Sequence, residues 1–146
     1  VDSTRDVRLD AIRAGDLEFL RQLRNQERRW FFDQTEITPE AQLAWHGGLG
    51  RDPNNHWFMV RVGDQPAGCF SIKVGADHRA EVRCILLANS YRGHGVMTRA
   101  IASAMDQLGG HLRYFAEVLP DNEASLGLFK RLGFAPSFVM VERPAR

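Results

Sequence analysis

At 146 residues the chain can bury one continuous apolar core and is too short for two, so a single domain over residues 1–146 is expected. A 44% hydrophobic and 25% charged composition excludes the disordered and fibrous classes. Nineteen Lys plus Arg against eighteen Asp plus Glu leave a net charge of +1, without the basic excess that a nucleic-acid backbone requires, so no nucleic-acid partner is expected outside a local patch.

Along the chain, Val7 to Ala11 alternates apolar with polar residues as a half-buried strand does, and Gly15-Asp16 breaks it, with Asp16 a candidate N-cap. Leu17, Leu20 and Leu23, with Phe19 beside them, predict a helix from Asp16 to about Arg24. The periodicity of Asn25 to Ile37 decides nothing. Thr38-Pro39-Glu40 is a helix start, with a capping hydroxyl, a proline preformed for the first turn and an acid at the positive end; this helix runs toward His46 and Gly47-Gly48. His56 to Val62 and Gly68 to Val74 read as strands of a hairpin around the turn cluster Gly63-Asp64-Gln65-Pro66. The apolar run Ala80 to Ala88 predicts a central strand covered on both faces. Val96 to Leu108 is a third helix closed by Gly109-Gly110, Leu112 to Leu119 a strand, and Asn122 opens a fourth helix ending at Leu132-Gly133. Phe138 to Glu142 is the last predicted strand. The mixed order implies one α+β, or three-layer α/β, fold.

Cys69 and Cys84 lie in apolar segments without C-x-x-C spacing and read as buried thiols in a reducing compartment, with no metal site. The polar start from Val1 through Arg8, and the absence of any run near the ~18 apolar residues of a membrane span, predict a cytoplasmic protein with no membrane partner.

The stretch that carries chemistry is Tyr91-Arg92-Gly93-His94-Gly95-Val96-Met97, between a buried strand and a long helix. Two glycines allow a tight turn in which successive N–H groups meet one anion, and the helix start adds its positive end. Thr98 stands where a dinucleotide fingerprint needs a third glycine, and no Lys-Ser/Thr pair follows as in a nucleoside-triphosphate loop.

These residues resemble the GNAT N-acetyltransferases, whose signature is Arg or Gln, two residues, Gly, one residue, then Gly or Ala; Arg92, Gly95 and Met97 take those places. Met97 departs from the small final residue, while its backbone amide remains. Asn122-Glu-Ala-Ser125, with Phe129 and Gly133-Phe134, is similar to the family's fourth helix and its terminal Gly-Phe. The resemblance implies a mixed, mostly antiparallel sheet flanked by helices and splayed between the strands at Ala80 and Leu112. It also implies acetyl-CoA as acyl donor: pyrophosphate on Arg92, Gly93, His94, Gly95, Val96 and Met97, and pantetheine against the backbone at Leu86 and Leu87. Asn122, Ser125 and Phe129 complete the implied cofactor contacts. Asn122 is read equally as a helix cap, His94 as an exposed loop residue, and Ser125 stays open between the two roles. Glu81 is the candidate base, with pairing to Arg79 or Arg83 as its structural alternative. Phe129 replaces the tyrosine that protonates the leaving thiolate in many relatives.

For the acceptor, Leu23-Arg24-Asn25, Arg28-Arg29-Trp30-Phe31 and Glu36-Ile37-Thr38 are similar to bacterial N-acetyltransferases acting on amino-sugar nucleotides, of the pseudaminic acid pathway type. Arg28, Arg29 and Trp30 then become the substrate-binding candidates, since paired arginines hold a diphosphate and an aromatic ring stacks on a base or sugar. The alternatives are acetylation of a protein N-terminus, as in the ribosomal-protein enzymes that share the Asn-Glu-Ala-Ser run, and acyl-CoA binding without turnover. Thirteen residues follow Gly133, fewer than the family's last two strands need, so either the chain is trimmed, a neighbouring subunit supplies the strand, or the edge is left open; a homodimer is expected.

Overall fold

In the computed structural model, which describes residues 6–145, β1 (Val7–Asp10) pairs antiparallel with β2 (Asn55–Val62), and β2 with β3 (Gln65–Val74). The polar stretch from Val1 to Arg5 and the terminal Arg146 lie outside the described residues. The predicted hairpin turn is present but tighter: Val62 faces Gln65 across Gly63-Asp64, and Gly63 adopts a φ of +60° that a side chain would strain. β4 (Arg79–Leu87) joins β3 antiparallel and β5 (Arg113–Phe115) joins β4 in parallel, giving the order β1-β2-β3-β4-β5.

Because side chains alternate across a strand, neighbouring residues feed two cores. Val60, Phe70, Ile72, Ala80 and Val82 pack beneath α3 (Val96–Leu108) and α4 (Glu123–Arg131). Met59, Cys69 and Leu86 pack instead against α1 (Leu17–Gln26), with Trp45 of α2 (Pro39–Gly47) beside them. The result is the expected mixed, mostly antiparallel sheet between helical layers. Thr38 caps α2 as predicted, its hydroxyl accepting from the Ala41 N–H at 3.2 Å, with Pro39 at the first helical position.

Three expectations are corrected. Asp16 does not cap α1 with its side chain; its carboxylate is buried, accepting from both terminal nitrogens of Arg61 at 3.0 and 2.9 Å and from the Arg13 N–H at 2.8 Å. The strand expected over Leu112 to Leu119 pairs only through Arg113–Phe115. Phe138 to Glu142 forms no strand: its β-prone residues meet no sheet edge, and Phe138, Val139, Met140 and Val141 stay exposed.

The Asp16–Arg61 pair ties the start of α1 to β2, with Asp10 of β1 adding a 3.2 Å bond to the same guanidinium. Burial pushes the Asp16 carboxyl up, but hydrogen bonds from Arg61 and the Arg13 N–H, with the Arg61 charge, outweigh it and leave the group below its ordinary value. A depressed carboxyl stabilises the fold above its unfolded pKa of about 3.9, and that contribution is lost as pH falls through the lower folded value. Asp16→Ala strands a buried guanidinium and is expected to cost about 3 kcal/mol in urea unfolding at neutral pH. The gap to the unsubstituted protein should shrink as the medium is acidified.

Candidate active site

β4 and β5 share three rungs, Arg79 with Arg113, Ala80 with Tyr114 and Glu81 with Phe115, and then part. From Val82 to Leu87, β4 keeps β3 as its partner and, among the described residues, has none on its other edge. The register with β3 also shifts here: between the rungs Cys69–Leu86 and Ser71–Arg83, the single β3 residue Phe70 opposes two β4 residues, Cys84 and Ile85. The extra residue is a bulge containing Cys84, which takes a φ of +55°, a conformation that costs a non-glycine residue energy and re-aims its neighbours. Gly68 permits it. A Cβ at that position would lie 1.9 Å from the Leu86 carbonyl oxygen, so only glycine lets β3 approach the bulged strand.

At the end of β4 the chain enters the glycine turn. Gly93 and Gly95 adopt φ of +81° and +73°, and Gly95 is the residue before α3, with no side chain to cap it. Among the described residues, no main-chain carbonyl accepts from the N–H groups of residues 93–98. The first helical N–H groups are orphans by construction, and here the turn adds its own to the same positive end. Thr98, one residue past the predicted turn, has a buried hydroxyl without a partner. Exposed backbone donors and an unsatisfied hydroxyl fit a diphosphate. Val96 and Met97 turn their side chains into the core, so the size of Met97 is a packing matter and does not block the turn. His94 is exposed, while Arg92 reaches back to Glu27, the residue that ends α1, at 2.9 Å.

Asn122 caps α4, its Oδ1 accepting from the Ser125 N–H at 3.2 Å. Phe129 is buried in the α3/α4 core with its ring 5.0 Å from Phe134. Leu86 is buried and Leu87 partly so, opposite Cys69 and Gly68. Glu81 sits on the last shared rung, within 3.5 Å of Arg83, so the pairing alternative is present. Burial nevertheless pushes its carboxyl above the ordinary value and Glu117 adds to this, against the opposing charges of Arg83 and Lys73.

On the α1/α2 face a cavity of about 270 Å³ opens over the bulge. Its floor is Cys69, Cys84 and Leu86; its walls include Leu20, Arg24 and Phe31, and the edge-to-face pair Trp45 and Trp57, 5.0 Å apart. The loop before α2 forms one wall because Asn25 clamps it, donating to the Ile37 carbonyl at 3.0 Å and accepting from the Ile37 N–H at 2.8 Å. Arg28, Arg29 and Trp30 form a 3-10 turn outside the lining: Arg28 faces Glu36 at 3.7 Å and Arg29 lies over the Trp30 ring. The chain turns extended at Phe31, which places that ring in the cavity instead. Sequence reading passed over Arg24, Phe31, Trp45, Trp57 and Thr98 as site residues, although Arg24 and Phe31 stood within the motifs quoted for the acceptor. Cys84 was read as core, and burial does raise its thiol, though it also lines the cavity. Among the described residues no group of three or more His, Cys, Asp or Glu could hold a metal ion, and no helix is long and apolar enough to cross a membrane.

Residues 17–134 match the acetyltransferase (GNAT) family. Spermidine N(1)-acetyltransferase of Escherichia coli (strain K12) is 26% identical over 140 residues, covering 91% of this chain and 75% of that protein. The fold is similar to the crystal structure of spermidine N-acetyltransferase from Vibrio cholerae in complex with CoA and spermine, with a TM-score of 0.82 at 21% identity over 95% of this chain and 86% of that one. A domain from Methanocaldococcus jannaschii gives 0.77 at 20% identity, over 90% and 89% of the two chains. The relatives named by activity are spermidine acetyltransferases, so the finer resemblance to enzymes of amino-sugar nucleotides or ribosomal proteins gains no support from them.

Two substitutions test this geometry. Gly68→Ala must push β4 away from β3 at the bulge and is expected to cost about 1–3 kcal/mol in thermal or urea unfolding, together with a loss of turnover larger than the stability change accounts for. Glu27→Gln removes a carboxylate held by Arg92 beside the orphan N–H groups; calorimetry is expected to show coenzyme A binding up to about fivefold tighter, the scale of a partly exposed ion pair.

Proposed function

The chain belongs to the acetyltransferase (GNAT) family and is an acetyl-CoA-dependent N-acetyltransferase; we propose that its acceptor is the primary amine of a small molecule admitted through the cavity over the β4 bulge. One observation carries this reading: the bulged residues of β4 are at once the cavity floor and the stretch whose other edge lacks a partner strand. A donor threaded along the unpaired edge and an acceptor in the cavity would meet at Cys84 to Leu86.

In this reading the N–H groups of Gly93, Gly95, Val96 and Met97, with Thr98 and the Arg92 guanidinium, hold the diphosphate of acetyl-CoA. The backbone at Leu86 and Leu87 orients its pantetheine arm. Acetyl-CoA supplies an activated acyl group and a thiolate leaving group. The chain's main contribution is position, since fixing a neutral amine against a thioester removes much of the entropic barrier. A main-chain N–H at the bulge is suited to stabilise negative charge on the acyl oxygen. Glu81 takes the proton the amine must lose, directly or through water, and its raised carboxyl is a better base for being so. Phe129 has no proton to give, and a thiol with a pKa of about 8.5 leaves adequately as thiolate.

Similarity to the spermidine enzymes favours a polyamine as the acceptor, and this is the second reading to test. Acetylation of protein N-termini has less support: the cavity is small and walled by aromatic rings rather than an open groove. Thiol release from acetyl-CoA, measured against parallel panels of polyamines, simple amines, amino-sugar nucleotides and N-terminal peptides, should rank small amines first; preference for a peptide or a nucleotide would overturn the proposal.

Glu81→Gln should lower turnover with coenzyme A affinity unchanged, and remove the part of the acid-side fall in rate that the Glu81 carboxyl is expected to impose on the unsubstituted protein. The sign follows from the raised carboxyl: the base is lost as pH drops through a value above that of an ordinary glutamate. The same shift means that Glu81 in its charged form opposes folding, an effect that grows as pH rises through the folded value. Glu81→Gln is therefore expected to melt no lower, and at neutral pH slightly higher, than the unsubstituted chain.

A further inference from the structure

Arg24 is held in an unusual position for a guanidinium. Its Cζ lies 3.6 Å from the centre of the Phe31 ring, and Nη2 donates to the main-chain carbonyl of Asp33 at 2.6 Å. The Asp33 carboxylate is engaged elsewhere, accepting from the Thr35 N–H at 3.0 Å. Nη1 is buried and has no partner. The residue lines the cavity, and its charge is felt at the Cys84 thiol on the floor. Gln42 is the one uncharged polar side chain in the lining besides the two cysteines, and the lining contains no Asp or Glu.

A desolvated guanidinium nitrogen without an acceptor is costly to keep, and nearly all such groups in folded proteins are satisfied by something. The planar fork of arginine is matched to carboxylate and phosphate oxygens, and an apolar cavity strengthens that attraction. The same cavity works against a polycation, which would bring several positive charges beside Arg24 with no carboxylate in the lining to receive them. At about 270 Å³ the space is also below the usual range for drug-sized ligands and does not admit a nucleotide-linked sugar whole.

Building on the small-amine reading above, we propose that Arg24 selects the acceptor: its guanidinium, the charged group of the cavity lining, binds an oxyanion, and the acceptor is a small primary amine that carries a carboxylate or phosphate at one end. The oxyanion anchors at Arg24 between the aromatic walls, and the amine extends over Cys84 toward the bulge. Asn25, the next residue on α1, holds the loop that completes the anchor, so recognition and cavity shape come from one helical turn.

The test uses the full chain with saturating acetyl-CoA and matched probes: β-alanine, its uncharged amide, aminoethyl phosphate and spermidine. kcat/KM for thiol release should favour the better anionic probe over the amide by about tenfold or more, mainly through KM, as expected for one charge-assisted contact. The ranking of carboxylate against phosphate identifies which oxyanion the site takes. Arg24→Gln should erase the ratio between anionic and uncharged probes, and Arg24→Lys should restore part of it; because each ratio is taken within one variant, a general loss of folded protein does not move it. Preference for spermidine or the amide in the unsubstituted chain, or an anionic preference that survives Arg24→Gln, overturns the proposal while leaving small-amine acetylation standing. Thiol release with none of these amines, but with a peptide, overturns the small-amine reading and this inference with it.

Discussion

The constraint on which this molecule turns is that β4 cannot satisfy two neighbours along its whole length. Parallel pairing with β5 lasts through Glu81 and stops, while antiparallel pairing with β3 continues only by inserting a residue at Cys84. A backbone edge without a partner is ordinarily a hazard, since its N–H and C=O groups invite another strand. In the proposed reading, the pantetheine arm of the donor takes the place of the missing strand where β4 and β5 part. The bulge re-aims residues at the same point, so that Leu86 faces the α1/α2 layer and shares a cavity floor with Cys69 and Cys84. In the proposed reading, donor and acceptor paths converge on this one short stretch of strand.

The rest of the structure supports that stretch from both sides. On the donor side the glycine turn leads directly into α3, whose Val96, Met97, Ala100, Ile101 and Ala104 anchor it in the main core. A rigid helix thus presents flexible-looking glycines as a fixed set of donors. On the acceptor side the wall is assembled from pieces far apart in sequence, and polar side chains do the assembling. Asp16 pairs with Arg61, Asn25 clamps Ile37, and Gln42 donates to the Leu17 carbonyl, each tying α1 to a distant segment. Apolar packing alone would hold α1 on the sheet without fixing the loop before α2; directional hydrogen bonds give the cavity its shape. Arg92, reaching Glu27, joins the two sides by linking the glycine turn to the end of α1.

Much of the site was readable from sequence where the interactions are local. The glycine turn, the Thr38 and Asn122 caps and the hairpin are decided within four or five neighbouring residues, and side-chain type is enough to infer them. The Arg28-Arg29-Trp30 reading came from the same habit, yet these residues lie outside the cavity lining, which their neighbours Arg24 and Phe31 enter. Which residues of an irregular segment face inward depends on a turn whose periodicity carries no signal. The segment Phe138 to Glu142 shows the reverse case: strand propensity is present, but a strand exists only where another strand's edge accepts it.

By itself, then, the amino-acid order determined most of the helices and strands, where the glycine turn before α3 lies and which family the chain resembles, because propensity, capping and glycine geometry act over a few residues. The tertiary structure alone decided the bulge at Cys84, the length of the β4–β5 pairing and the cavity with Arg24 in its wall. Those features arise from register between strands and from the packing of α1, α2 and the loop between them, interactions across long sequence separations that no local pattern encodes.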